Sequence, residues 1–308
     1  MESIRKAGFD GMEIAMPDIL AYSEARSGKA ITHSDIGIII ETAAAVKEIA
    51  DAIGLQIIML QPFEKFEGWN QERREAAFAR AADWLRVMDA LGTDTLQVGS
   101  SDAEEISHST DAIVEDLAEL AELCGNKGYR VAYENWCWST HAPTWKQAWE
   151  LVKRVDNPSL GLCLDTFQAA GAELADPTTQ SGFIESVDRE SLEAHWQRSL
   201  EELATAVPAD KIFVLQISDA YRMSPPFKDQ VDANGQAPRA QWSHSHRPLP
   251  CSDGYLPVQE YLDAVLKTGF RGWLSVEVFD PRMEKKSPNI EYAMAAMVSL
   301  KKLVGLAK

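Results

Sequence analysis

The sequence predicts an α/β fold of the TIM (β/α)₈-barrel type, and three observations support this. Apolar strand-like segments alternate with helical patterns along the chain, which is typical of a parallel sheet. Four of the strand-like segments carry one polar residue late in the segment, and a parallel sheet brings its carboxyl ends together on one side. The length of 308 residues suits one such barrel.

Seven segments have the character of strands, and the chain begins where the first helix of a barrel should be ending. We therefore expect a barrel that lacks the first strand and most of the first helix. Helices are predicted between the strands, with one ending at Gly54, one ending at Gly92 and one starting at a Thr144–Gln147 capping box. The predicted helices cover about residues 1–7, 34–53, 70–91, 109–126, 144–155, 185–206, 257–268 and 288–303. The predicted strands cover residues 11–15, 55–61, 95–98, 130–134, 160–166, 211–218 and 273–279.

The polar residues that end four of these strands share a strand face with small or medium side chains two positions earlier. Such a face suits the interior of a small barrel that opens onto a polar mouth, because side chains alternate between faces along a strand. The alternative is a set of unrelated strand-end polar residues. The four residues are Glu134, Asp165, Gln216 and Glu277, and their small neighbours are Ala132, Cys163, Val214 and Ser275.

Two glutamates, one aspartate and one amide form an oxygen-only donor set. This set suits a divalent metal such as Mg²⁺, Mn²⁺ or Co²⁺ better than a metal that prefers thiolates. A metal held there can polarise a carbonyl group and stabilise an enolate. The alternative is a carboxylate cluster that internal arginines neutralise without a metal.

Two further residues are candidates for catalysis. His141 follows Glu134 in a loop at the predicted barrel mouth, and it either carries a proton or caps the helix that begins at Thr144. Arg247 lies in the irregular stretch from about 220 to 256, whose prolines, tryptophan and histidines predict an ordered cover. Arg247 either pairs with a substrate carboxylate through its guanidinium fork or is solvated.

The composition limits the class of partner. A net charge of -17 argues against nucleic acid and an anionic membrane, so a small-molecule carboxylate is the expected partner, and a homo-oligomer stays open. The four cysteines lack CxxC spacing, and there is neither a signal peptide pattern nor a membrane-spanning apolar run, so a cytoplasmic location is expected. We predict one domain over residues 1–308, with a long loop insertion at about 220–256.

Several stretches resemble a known family. Residues 133–141, 163–167, 214–219, 242–247 and 269–277 are similar to the sugar isomerase-like (xylose isomerase-like) TIM barrels. Within that superfamily they most resemble the 3-dehydroshikimate dehydratases of quinate catabolism. The resemblance covers the chain from about Gly8 onward and implies dehydration of 3-dehydroshikimate to protocatechuate through a metal-stabilised enolate.

The resemblance also implies roles for individual residues. It assigns the metal to Glu134, Asp165, Gln216 and Glu277, and substrate contact to Ser243 and Arg247. His141 matches a family histidine, and Gln168 stands where bacterial members have a histidine near the metal, so we expect Gln168 at the substrate. Two alternatives remain: a sugar or inositol isomerase or epimerase on the same scaffold, and an inactive truncated barrel.

Overall fold

The computed structural model describes residues 1–107, 109–284 and 289–306. Its strands lie in one seven-stranded sheet whose order follows the chain, with β1 parallel to β2, β2 to β3, β5 to β6 and β6 to β7. The predicted alternation of parallel strands with helices is therefore confirmed. The strands are β1 Gly11–Ala15, β2 Gln56–Phe63, β3 Thr95–Gly99, β4 Arg130–Glu134, β5 Leu160–Asp165, β6 Ile212–Ile217 and β7 Trp273–Val276.

Most helices begin and end close to the predicted positions, but α2, α7, α9 and α11 were not predicted. Within the described ranges, no helix is at once long enough and apolar enough to cross a membrane. The helices are α1 Glu2–Lys6, α2 Met16–Ser27, α3 Ile36–Ile53, α4 Gln71–Leu91, α5 Thr110–Gly125, α6 Trp145–Val155, α7 Thr166–Glu173, α8 Arg189–Ala206, α9 Pro238–Ser245, α10 Val258–Lys267, α11 Pro281–Glu284 and α12 Asn289–Leu306.

The chain divides into two compact units, and the first comprises residues 1–133 and 151–161. In this unit α3 packs against α2 and α4. Gly54 ends α3 and Gly92 ends α4, both in the left-handed region with φ of 68°, which glycine adopts without steric cost. The sequence placed both helix ends at these glycines, and that prediction is confirmed.

The second unit comprises residues 134–150 and 162–308. Every residue of β5 and β6 is buried, as expected for strands covered on both faces. Helix α10 packs against α7 and α8 in this unit. The Thr144–Gln147 capping box forms as predicted, since the Gln147 backbone N–H donates to the Thr144 hydroxyl at 3.3 Å. The prediction of a single domain over the whole chain stays a prediction.

The long stretch from about 220 to 256 is an ordered cover that contains α9. The indole of Trp242, fully buried, donates to the carbonyl oxygen of Tyr221 at 2.8 Å. Arg239 donates from Nε to the carbonyl oxygen of Gly171 at 2.7 Å, which ties α9 to α7. Arg247 forms an antiparallel bridge with Phe279. These contacts give the stretch internal order without regular strand pairing.

Asp219 connects the two ends of this cover. Its carboxylate accepts hydrogen bonds from the backbone N–H groups of Ala220 and Leu256, each at 2.8 Å. A Cβ at Gly254 would lie 2.0 Å from the Asp219 Cγ, so the backbone there can approach only as glycine. Burial raises the pKa of Asp219 to about 6, although its backbone hydrogen bonds act in the opposite direction.

Replacing Asp219 with Asn should flatten the pH dependence of stability between about pH 4 and pH 6. Because the pKa is raised in the folded protein, the folded state binds this proton more tightly than the unfolded chain does. The stability that the proton contributes is complete below about pH 3.9 and is lost as pH rises to about 6. The free energy of unfolding of the wild type should fall by about 2–3 kcal/mol more than that of Asp219→Asn, measured by urea denaturation at both ends of this range.

Asp188→Asn is the matched control. Asp188 is the exposed N-cap of α8, where the backbone N–H of Ser191 lowers its pKa, so its contribution has the opposite pH dependence. An Asp219→Asn protein that keeps the pH slope of the wild type would contradict the assignment.

Candidate active site

Three carboxylates converge at the carboxyl ends of strands. Glu134 ends β4, Asp165 ends β5, and Glu277 directly follows β7. One carboxylate oxygen from each lies within 4.8 Å of the others, and this group can hold a metal ion. Glu134 and Asp165 are buried, and Glu277 is half-buried. The sequence named all three as metal ligands from their shared strand position, and the structure brings them together.

The sheet register explains part of this convergence. Asp165 is the register partner of Gln216, and Gln216 is the register partner of Ser275, which lies two residues before Glu277 on the same strand face. Asp165 is oriented further by its place at the start of α7, because its Oδ1 accepts from the backbone N–H of Phe167 at 2.7 Å. That contact leaves Oδ2 directed into the cluster.

Gln216, the fourth predicted ligand, also lies at the cluster. Its Nε2 donates to Glu277 Oε1 at 3.0 Å, and its Oε1 accepts from the Cys163 thiol at 3.3 Å. The amide therefore presents its nitrogen to the carboxylates. To offer its oxygen to a cation, Gln216 would have to turn its amide over, which exchanges a donor for an acceptor at nearly the same position.

Arg247 extends from the long cover into the carboxylate cluster. It is 1% exposed, and its Nη2 lies 2.5 Å from Asp165 Oδ2 while its Nη1 lies 2.9 Å from Glu277 Oε2. Its Nε donates to the Ser218 hydroxyl at 2.8 Å, and Nη1 is 3.4 Å from the Ser243 hydroxyl. The alternative of a solvated Arg247 is therefore wrong, since the side chain is buried and ion-paired.

The electrostatics of the cluster favour a further cation. With all three carboxylates ionised, three negative charges would face the single guanidinium of Arg247, a sum of -2, and this state is unfavourable without another positive charge. Burial raises the pKa of Glu134 well above its usual value, and repulsion from Glu277 and then Asp165 raises it further. Burial acts to lower the pKa of Arg247, but Asp165 and Glu277 overcome that effect and raise it. A divalent cation would balance the remaining charge, and oxygen donors are the ligands that Mg²⁺ and Mn²⁺ prefer.

The other predicted residues lie around this cluster or on the loops that lead from it. Gln168 is buried on α7 and accepts from the backbone N–H of Cys137 at 3.0 Å, so it holds the loop that follows Glu134. Ser243 is buried on α9 beside Arg247. His141 is half-buried in the same loop as Cys137, and its backbone N–H donates to the Ser139 hydroxyl at 3.3 Å. The roles assigned to these residues stay predictions.

Sequence reasoning overlooked two side chains that touch the cluster. The Trp136 indole N–H donates to Glu134 Oε2 at 3.1 Å, and Ser218 accepts from Arg247. Each lies two residues after a predicted ligand, Trp136 after Glu134 and Ser218 after Gln216. That spacing is a signal which the sequence contained, since residues two apart share a side in extended chain.

Replacing Arg247 with Met should destabilise the protein by about 3–5 kcal/mol, because it leaves two buried carboxylates without their paired guanidinium. Added Mn²⁺ should restore more stability to Arg247→Met than it adds to the wild type, since the cation supplies the missing positive charge. Chemical denaturation with and without Mn²⁺ measures both effects.

Arg86→Met is the control, because Arg86 pairs with Asp83 on the exposed face of α4 and should contribute less than about 1 kcal/mol. Equal costs for the two variants would contradict the charge balance described above.

Comparison with known proteins agrees with this geometry. A family model described as the xylose isomerase-like TIM barrel matches residues 1–303. A 3-dehydroshikimate dehydratase of Neurospora crassa is 32% identical over 99% of this chain and 88% of its own. Another, of Pseudomonas aeruginosa, is 31% identical over 91% of this chain, which spans only 36% of that relative's length.

A solved structure shows the same fold. It is described as a xylose isomerase-like TIM barrel/4-hydroxyphenylpyruvate dioxygenase fusion protein, and it matches with a TM-score of 0.74 and 28% identity. The match covers 98% of this chain and 40% of that one. The predicted barrel class and the predicted resemblance are both confirmed. The chain belongs to the xylose isomerase-like TIM barrel family.

Proposed function

We propose that the chain is a metal-dependent dehydratase that converts 3-dehydroshikimate to protocatechuate. The observation that carries this proposal is the carboxylate cluster of Glu134, Asp165 and Glu277, which is largely buried, acidic and built from oxygen donors. The names of the Neurospora and Pseudomonas relatives support the choice of substrate. A place in quinate catabolism and a cytoplasmic location belong to the same proposal.

The cluster would hold Mg²⁺, Mn²⁺ or Co²⁺ through Glu134, Asp165 and Glu277, with the Gln216 amide as the fourth donor. When bound, such a cation supplies a Lewis acid that polarises the ketone carbonyl of the substrate. The Trp136 indole N–H holds the Glu134 carboxylate in place from the side. This contact orients the Glu134 carboxylate before substrate arrives.

The reaction requires the loss of a proton from the carbon beside the ketone and the departure of the hydroxyl on the next carbon, and that proton leaves with the hydroxyl as water. A second carbon-bound proton is then transferred to the former ketone oxygen, which makes the ring aromatic and the overall reaction favourable. His141 is the proposed base for the first proton, because it lies in the loop that follows Glu134 at the end of β4. Gln168 supports this arrangement by fixing the backbone of the same loop at Cys137.

Arg247 and Ser243 are the proposed contacts to the substrate carboxylate. They lie four residues apart around the end of α9, and Arg247 Nη1 is 3.4 Å from the Ser243 hydroxyl. In this role the guanidinium would share its five donors between the protein carboxylates and the substrate carboxylate. Arg247 would thereby connect the metal ligands with substrate binding.

The proposal is tested by adding 3-dehydroshikimate and Mn²⁺ to the purified protein and following the rise of catechol absorbance. Glu134→Gln keeps the shape of the side chain but loses its charge, so we expect Mn²⁺ affinity and turnover to fall together by more than about 100-fold. Calorimetry measures the Mn²⁺ affinity. Glu193→Gln, at an exposed position of α8, is the control and should change neither quantity.

Two results would refute this proposal. One is a wild-type protein that forms no catechol with Mg²⁺, Mn²⁺ or Co²⁺. The other is a folded Glu134→Gln protein that keeps its turnover.

A further inference from the structure

An aromatic path leads from the carboxylate cluster to the protein surface. Trp136 donates to Glu134 Oε2 at 3.1 Å and is 8% exposed. Its ring stacks on Trp138, with the ring centroids 5.1 Å apart and the planes at 28°. Trp138 is half-buried, so part of its ring is accessible to a ligand. In this position the Trp138 indole offers a flat apolar surface near the predicted metal ligands.

The Trp138 ring is also fixed from a second element. His244, on α9, contacts this ring in a T-shaped arrangement, with ring centroids 5.7 Å apart and planes at 74°. The His244 Nδ1 lies 3.2 Å from the Nε2 of Gln236. Because α9 is tied to Gly171 through Arg239, this neighbour of Trp138 lies on an anchored part of the chain, and the other neighbour, Trp136, is held by its hydrogen bond to Glu134. Two anchored neighbours lower the conformational freedom that a half-exposed indole would otherwise lose when it binds a ligand.

The proposed carboxylate contact and one of the rings that meet Trp138 lie on the same helix. On α9, Ser243 is buried beside Arg247, and the next residue, His244, is exposed and contacts the Trp138 ring. Helix α9 therefore connects the proposed carboxylate contact with the aromatic surface. Apolar and aromatic walls with a few polar groups are typical of small-molecule sites.

We infer that Trp138, set by Trp136 and His244, is the surface on which the ring of the substrate rests, and that it selects a flat ring over a puckered one. The inference rests on the proposed function and names a specificity-determining residue for it. An aromatic face gains most from an offset stack against a second flat ring. Since the substrate ring becomes flat as it loses water, the contact strengthens along the reaction, which favours the chemical step.

The test uses two carboxylates with different ring shapes, flat 3,4-dihydroxybenzoate and puckered shikimate, each titrated into the Mn²⁺-loaded protein by calorimetry. Trp138→Leu should weaken binding of the flat probe by roughly three- to tenfold and binding of shikimate by less than about twofold. Trp138→Tyr keeps an aromatic face and should preserve the preference within about threefold. Tyr22→Leu, which removes an exposed aromatic ring on α2, is the control and should leave both affinities unchanged.

The inference is overturned if Trp138→Leu weakens both probes equally, changes neither, or if the wild type binds neither probe. If Trp138→Leu does not fold, as judged by its circular dichroism spectrum, the test uses Trp138→Tyr and Trp138→Phe. Loss of the preference for the flat probe in these folded aromatic variants would also overturn the inference. The proposed function is judged separately, by catechol formation from 3-dehydroshikimate. A preference for the flat probe that depends on Trp138, without turnover of 3-dehydroshikimate, would refute the proposed function and support the inference about Trp138.

Discussion

Arg247 lies buried among carboxylates, and the charge balance between them constrains the surrounding structure. A guanidinium without water needs partners for its donors, and here Asp165, Glu277 and Ser218 supply them. Burial, and then repulsion from Glu277 and Asp165, raise the pKa of Glu134. Neither the guanidinium nor the carboxylates could be buried without the other, because a buried charge without its partner is strongly destabilising.

This dependence explains why the long cover must be ordered. A mobile loop could not hold a guanidinium at 2.5 Å from the carboxylate of Asp165. The anchors are distributed along the stretch. Asp219 holds its two ends, the side chain of Trp242 is buried, and Arg247 pairs with Phe279 through an isolated antiparallel bridge. The irregular backbone thus has enough fixed points to act as part of the site.

The same arrangement connects the metal ligands, the substrate contacts and the aromatic surface. Arg247 touches two of the proposed ligands and lies beside Ser243, while Trp136 joins Glu134 to Trp138. A change at one of these residues should therefore affect more than one property.

Local signals in the sequence predict the strands, most helix boundaries and the three carboxylates, because strand periodicity, glycine helix ends and capping residues each depend on a few neighbouring residues. These signals missed α7, which begins directly after Asp165 with no intervening loop, and α9, whose Trp-Ser-His-Ser run has a low helix propensity. They also left open whether Arg247 is solvated or paired.

The partners of Arg247, the orientation of the Gln216 amide and the contact between Trp138 and His244 follow from the folded structure and not from any local pattern. Arg247 and Asp165 are 82 residues apart in the chain, and no periodic pattern relates positions at that separation. Such contacts depend on how the whole fold packs and on which polar groups must satisfy each other once water is excluded.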